Sequence, residues 1–220
     1  LVGGFDKIFQ ISRCFRDGEI SPQHNPEFTM LEWYRTYQPL EKLMTDIEQF
    51  VLHISDSVKS NLLSKKIPLP PWPRKSVSSL FKQHIGIKLD GSETANELRN
   101  KAELSGHEKL FHNLPDCSKL TNSLAYEQTF FRLWSHIQSK FSKTTPIFVF
   151  DWPIPLASLA RINPMRKEFA ERVELYLNCM ELANGFAELT DPIEQNRRFK
   201  QDLKNRKSEG RETVPLDKKL

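Results

Sequence analysis

Two runs of alternating side chains, joined by a polar loop, most restrict how this chain can fold. The first run covers residues 8–16 and alternates apolar with polar side chains. The second run, residues 28–37, places on one side Phe28, Met30, Glu32 and Tyr34. Alternation with a period of two is typical of a β-strand with two unlike faces. The sequence therefore predicts a hairpin whose loop carries polar chemistry.

Antiparallel pairing of the two runs predicts a single surface that carries Arg16, Phe28, Glu32 and Tyr34. This surface offers a guanidinium, a carboxylate and two aromatic rings. Such groups suit a ligand that has an anion, a cation and a flat base. The alternative is that Arg16 only pairs with a carboxylate of its own loop, Asp17 or Glu19.

The loop and the second strand carry a long and specific motif. Residues 15–34 read FRDGEISPQHNPEFTMLEWY and closely resemble the second signature motif of class II aminoacyl-tRNA synthetases, in its lysine-specific form. Residues 172–191, RVELYLNCMELANGFAELTD, resemble the later part of the same active site. The run FVFDWPIPLASLA, residues 148–160, resembles the strand and turn before that part. The resemblance therefore covers nearly the whole chain.

The resemblance implies an α+β fold in which an antiparallel sheet is flanked by helices. It implies one partial catalytic domain over residues 1–220, with a helical insertion at about residues 59–142. Leu1 is not a start methionine, and the chain stops where the family continues to its third motif. We therefore expect an internal piece of a longer protein.

The resemblance also assigns ATP contacts. In the family, the arginine at the place of Arg16 bridges the amino-acid carboxylate and the α-phosphate, and its planar fork suits two anionic oxygens. The phenylalanine at the place of Phe28 stacks on adenine. The other expected ATP contacts are Asp17, Gly18, His24, Asn25, Glu174 and Leu175. The family has a glutamate where this chain has Gly18, so Glu19 is expected to take over its adenine contact.

Glu174 and Glu181 are expected to hold Mg²⁺, and with Arg16 they form the expected catalytic set. Magnesium prefers hard oxygen ligands and shares them with substrate phosphates. Taken without the family, the two glutamates are better explained as surface carboxylates on two strands. The substrate contacts expected from the resemblance are Glu32, Tyr34, Glu181, Asn184, Phe186 and Glu188.

The expected substrate is lysine-like. Phe186 and Tyr34 would flank an aliphatic stem, and Glu188 would hold the distal ammonium, because a buried ammonium needs a charged or aromatic partner. Asn184 would help Arg16 to bind the carboxylate.

Ala183 separates two interpretations of this chemistry. Lysyl-tRNA synthetases typically have EIGNGF where this chain has ELANGF, a form that resembles the truncated paralogues that ligate (R)-β-lysine to a lysine of elongation factor P. A methyl group in the pocket would discriminate between substrates by about 1–3 kcal/mol. We expect ATP-dependent activation of lysine or (R)-β-lysine as an adenylate, followed by transfer to elongation factor P. The alternatives are a lysyl-tRNA synthetase that charges tRNA and a synthetase-like binding protein without catalysis.

Composition restricts the compartment and the partners. The 32 basic and 28 acidic residues give a net charge of +4, which is too small to predict nucleic-acid binding by itself. The three cysteines, Cys14, Cys117 and Cys179, show no metal spacing, and their odd number leaves no complete set of disulfides. We therefore expect a cytoplasmic protein, with no membrane span. The family dimerises largely through its first motif, so the full-length protein is expected to be a homodimer.

Local patterns predict the remaining elements. Apolar spacing and capping residues favour helices at residues 40–54, 79–84, 93–104, 123–141 and 192–208. Short apolar or alternating runs favour strands at residues 146–152, 173–178 and 181–188. The proline-rich segment of residues 67–76 is predicted to be an extended connector.

Overall fold

A computed structural model describes residues 3–18, 20–21, 24–58, 67–112 and 120–216. The chain forms two compact units, Leu1–Pro39 and Leu40–Leu220. The first unit contains β1 (Lys7–Phe15) and β2 (Glu27–Arg35). The second contains α1 (Leu40–Ser57), β3 (Arg74–Ser76), α2 (Val77–His84), α3 (Ala95–Leu104), α4 (Asn122–Gln138), β4 (Ile147–Pro153), β5 (Phe169–Leu177), β6 (Met180–Phe186) and α5 (Pro192–Ser208). Among the described helices, none is both long enough and apolar enough to cross a bilayer.

The first unit is the predicted antiparallel hairpin. Cys14 lies opposite Phe28, Gln10 opposite Glu32, and Ile8 opposite Tyr34. The loop is closed at its base by the Arg16 amide, which donates to the Pro26 carbonyl at 2.9 Å. Nearer its tip, Ser21 and His24 pair through both their backbones and their side chains. The predicted hairpin is confirmed, and hydrogen bonds close its loop both at the base and nearer the tip.

The second unit has a four-stranded sheet in the order β3–β4–β5–β6. The pair β3–β4 is parallel and the other two pairs are antiparallel. The sheet is therefore mixed, whereas we expected a sheet that is antiparallel throughout. The strand β3 lies at the end of the segment predicted to be a connector, and that part of the prediction was wrong. Three residues, Arg-Lys-Ser, are too few to show alternation, and β3 exists because β4 pairs with it. The expected insertion of residues 59–142 thus includes a strand of the sheet.

Helices cover both faces of this sheet. On one face, α1 packs so closely that a Cβ at Gly185 would lie 2.6 Å from a Leu43 methyl. The space beside this glycine is therefore occupied by α1. On the other face, α2, α3 and α4 build an aromatic core with Phe81, Phe130, Trp134 and Trp152 at its centre. Tyr176 of β5 belongs to the same core.

The helix α5 begins and ends where the sequence predicts. The Asp191 carboxylate caps it by accepting from the amides of Ile193 and Glu194. The Glu194 carboxylate accepts from Arg197 and Arg198. Arg198 in turn donates to the carbonyls of Ser158 and Ala160. No residue of α5 is buried, so these polar contacts anchor the helix.

Candidate active site

The centre of the candidate site is Glu174 on β5. It is only 2% exposed, and both of its carboxylate oxygens accept hydrogen bonds. Arg172 donates to Oε1 at 2.6 Å, and the Tyr176 hydroxyl donates to Oε2. Residues 172, 174 and 176 share one face of the strand because side chains alternate, so this face carries a fixed carboxylate.

The donors to Glu174 are themselves held. Arg172 lies over the Trp152 ring at 4.8 Å and also donates to the Leu156 carbonyl at 2.7 Å. The Trp134 indole N–H donates to the Tyr176 hydroxyl at 3.0 Å. Sequence reasoning missed Arg172 and Tyr176. The signal available was their period-two spacing from Glu174, which places all three on one face.

A β-bulge brings Glu181 to the same face as Glu174. Tyr176 lies opposite Glu181, but Leu175 lies opposite Ala183, so Leu182 is an extra residue in β6. Regular alternation would put Glu181 and Asn184 on opposite faces, since they are three residues apart. The bulge reverses this relation, and Glu181 faces the same side as Asn184, which is opposite Glu174.

The electrostatics of Glu174 agree with this register. Burial, followed by the negative charge of Glu181, raises the pKa of Glu174 to about 7, against the opposing effects of Arg172 and Tyr176. A carboxylate whose ionised form is disfavoured by a like charge is a place where a cation relieves repulsion.

This donor set fits Mg²⁺. Ionised carboxylates have about four lone-pair sites, so Glu174 retains acceptor capacity beyond its two hydrogen bonds. Mg²⁺ typically binds through one or two carboxylates together with substrate phosphates and water. Within the described ranges, no three His, Cys, Asp or Glu side chains form a metal-binding group. Glu174 and Glu181 therefore fit a cation shared with a substrate and not a closed protein cage.

The next residues along the same face are those expected to hold the amino acid. Phe186 lies opposite Arg172, and Asn184 lies opposite Glu174. Glu188 follows two residues beyond the end of β6 and bridges to Ala160. Partial burial raises the pKa of Glu188, although its side chain is exposed. An amide, a ring and a desolvated carboxylate thus follow the carboxylate pair in order.

Two other predicted positions lie on the opposite face of the sheet. Leu175 is completely buried and pairs with Ala183, so both side chains face away from Glu174 and Asn184. Any contact of Leu175 with ATP is therefore limited to its backbone. The register also contradicts the idea that the Ala183 methyl narrows the amino-acid pocket, because that methyl faces the α1 side.

In the hairpin unit, the predicted polar surface is present. The Arg16 guanidinium lies over the Phe28 ring at 5.4 Å, and Glu32 and Tyr34 follow on the same face through the strand register. Asp17, Gly18, His24 and Asn25 are all exposed in the loop. The alternative pairing of Arg16 with Glu19 lies outside the described residues, as does the expected adenine contact of Glu19.

Gly18 has a conformation that explains why it is a glycine. Its φ of +76° is in the left-handed region, where a side chain is disfavoured, although a Cβ there would meet nothing within 4 Å. A glutamate at this position would therefore strain the loop as it stands.

The chain belongs to the tRNA synthetases of class II, in the group described as D, K and N, whose family model matches residues 1–214. Among individual relatives, it is 36% identical over 214 residues to the lysine–tRNA ligase of Dehalococcoides mccartyi, covering 94% of this chain and 40% of that protein. It is 34% identical over 217 residues to the elongation factor P–(R)-β-lysine ligase of Erwinia tasmaniensis, covering 99% of this chain and 60% of that protein. The enzyme of that name from Salmonella paratyphi B is also 34% identical, over 222 residues, covering all of this chain and 61% of that protein. The chain thus spans about 40–61% of the length of these relatives.

Proposed function

We propose that the full-length protein activates lysine or (R)-β-lysine with ATP and transfers it to a lysine of elongation factor P. The observation that carries this proposal is the carboxylate pair Glu174 and Glu181 on one face of β5 and β6, followed by Asn184 and Phe186 on the same face and by Glu188 just beyond β6. The same face thus offers a cation site followed by groups suited to an amino acid that has a distal ammonium.

The first step proposed is adenylate formation. The substrate carboxylate attacks the α-phosphorus of ATP, the bond to the bridging oxygen breaks, and pyrophosphate leaves. No protein nucleophile takes part, so the protein contributes by positioning and by electrostatic stabilisation. Mg²⁺, when bound, would offset the negative charge of the phosphates.

The roles proposed for the chain's residues follow from their chemistry. Glu174 and Glu181 would hold the cation, and Glu188 would bind the distal ammonium of the substrate. Phe186 would pack on the aliphatic stem, and Asn184 would orient the carboxylate. In the hairpin unit, Arg16 would bind the α-phosphate while Phe28 stacks on adenine.

The acceptor is the second part of the proposal. The relatives named as elongation factor P ligases match the chain over 99–100% of its length, and this supports a protein amine as acceptor. The 36% identity to a lysine–tRNA ligase favours the second candidate, a tRNA acceptor. Gly18, in place of the family glutamate, favours a third candidate, a binding protein without catalysis.

Two assays on the full-length protein test the proposal. ATP–pyrophosphate exchange with α-lysine and (R)-β-lysine measures activation, and labelled amino acid is then offered to unmodified elongation factor P and to tRNA. We expect exchange, and label on elongation factor P. Label on tRNA alone would replace the proposal by the tRNA ligase, and absence of exchange with both isomers would support the binding protein.

A further inference from the structure

A large groove lies between α4 and α5 within the second unit. Its volume is about 1700 Å³, whereas pockets for small molecules are typically about 300–1,000 Å³. We call it the α4–α5 groove, and its walls include Thr121, Tyr126, Leu156, Arg172, Gln201 and Lys204. The groove is too large to be explained by one amino acid.

The wall formed by α5 is largely polar, although Phe199 also contributes to it. Arg197, Gln201, Lys204 and Ser208 all line the groove, and their spacing of three or four residues places them along one side of the helix. Helices that close a core present an apolar stripe to it. The side of α5 that lines the groove is instead polar and exposed, which favours a hydrated groove that stays open.

Polar atoms beneath the groove lack partners. The Tyr126 hydroxyl, the Arg172 Nε–H and the Arg198 Nη2 group are buried, with no hydrogen-bond partner in the described part of the chain. All three residues line the groove. Burying such groups without partners is costly, so they need an explanation. Two are donors and the third is a hydroxyl, so a ligand rich in acceptor oxygens would satisfy them after a small shift of the covering side chains.

The charges of the groove favour a polypeptide over a nucleic acid. Five basic side chains line it, but three acidic ones, Glu93, Glu127 and Asp202, line it too. A nucleic-acid backbone carries regular negative charge and binds surfaces of uniformly positive potential. A peptide offers carbonyl oxygens to the donors and side chains of either sign to the two kinds of charge.

We propose that the α4–α5 groove receives an extended segment of the acceptor protein, a proposal that rests on the proposed function. Arg172 lines the groove and also holds Glu174, so the groove opens next to the carboxylate face. The 17 residues of α5 extend about 25 Å at 1.5 Å per residue. Seven or eight extended residues, at about 3.3 Å each, match this length.

The test places a bulky side chain in the groove of the full-length protein. Gln201→Trp fills the groove from the exposed side of α5, and Asn196→Trp is the matched control because Asn196 is exposed on the same helix outside the groove lining. We expect Gln201→Trp to lower kcat/KM for transfer to elongation factor P by at least about tenfold, while ATP–pyrophosphate exchange stays within about twofold. Asn196→Trp should change neither by more than about twofold.

The outcomes separate this proposal from the proposed function. Normal transfer in Gln201→Trp would overturn the groove proposal and leave the ligase intact. If the parent shows no exchange, the proposed function fails, and calorimetric titration with elongation factor P then decides on the groove. Binding to the parent and to Asn196→Trp, but not to Gln201→Trp, would support the groove. Equal binding to all three proteins, or no binding to any of them, would overturn it. A Gln201→Trp variant that loses binding to tRNA rather than to elongation factor P would also overturn it.

Discussion

At the scale of single residues, the central feature is how firmly Glu174 is held. A buried carboxylate without partners is costly, and here Arg172 and Tyr176 occupy one lone pair on each oxygen. Trp152 and Trp134 hold those two donors in turn. Groups that orient a metal ligand in this way usually affect metal affinity strongly.

Removing the Tyr176 hydroxyl tests this arrangement. We expect Tyr176→Phe to raise the Mg²⁺ concentration for half-maximal ATP–pyrophosphate exchange about tenfold, because Glu174 loses the donor that fixes Oε2. KM for the amino acid should change little. Tyr37→Phe is the control, since Tyr37 is 97% exposed. An unchanged Mg²⁺ dependence would show that Tyr176 has only a packing role.

The position of Ala183 in the structure leads to a prediction opposite to the one made from the sequence, in which its methyl discriminates between substrates. Its methyl faces the α1 side, so Ala183→Gly should leave the ratio of kcat/KM for α-lysine and (R)-β-lysine unchanged. The free energy of unfolding should fall by about 0.5–1 kcal/mol, as for glycine within a strand. Kinetics with both isomers and urea unfolding measure the two effects. A shift of the ratio towards α-lysine would restore the steric interpretation.

At the scale of elements, strand registers explain which site residues can meet. The sequence predicted β6, but the extra residue at Leu182 has no local signature, because a bulge depends on pairing with β5. The strand β3 was missed for a similar reason, since its three residues gain their conformation from β4. By contrast, β1, β2 and α5 have signals in their own residues: alternation in the strands, and a capping Asp191 before Pro192 in the helix.

The anchoring of α5 depends on Glu194 and therefore on pH. Hydrogen bonds from Arg197, and then from Arg198, lower the pKa of Glu194 from 4.5 to about 2. A carboxylate whose pKa is lower in the folded state stabilises the fold above its unfolded pKa and loses this effect as the pH falls through the folded value.

Glu194→Gln should therefore destabilise the protein only where Glu194 is ionised. We expect the free energy of unfolding to fall by about 1 kcal/mol at pH 7, as for the loss of a partly exposed ion pair. The loss should shrink between pH 4.5 and 2 and vanish below that range. Urea unfolding across this range would measure it, with Glu168→Gln as an exposed control. A loss that stays constant with pH would mean that hydrogen bonding rather than charge anchors α5.

At the scale of the whole molecule, the chain provides two prepared surfaces, the hairpin face of the first unit and the carboxylate face of the second. The motif of residues 24–34 made the hairpin face predictable, since its residues are contiguous and alternate. Glu174 and Glu181 were also identified from the sequence. The β-bulge that brings them to the same face was not. Arg172, Tyr176 and the α4–α5 groove arise from packing between distant segments, which a single sequence does not encode locally.

We propose that Glu174 and Glu181 form the cation site of an adenylate-forming enzyme. ATP–pyrophosphate exchange by the full-length Glu181→Gln variant tests it most directly, with Glu168→Gln as the control. Glu181 is exposed, and removing its charge relieves repulsion of Glu174, so the fold should be unaffected. We predict that exchange falls by at least about 100-fold, the effect of losing a ligand that places a catalytic cation, with an unchanged melting temperature. Exchange close to that of the parent would contradict the claim.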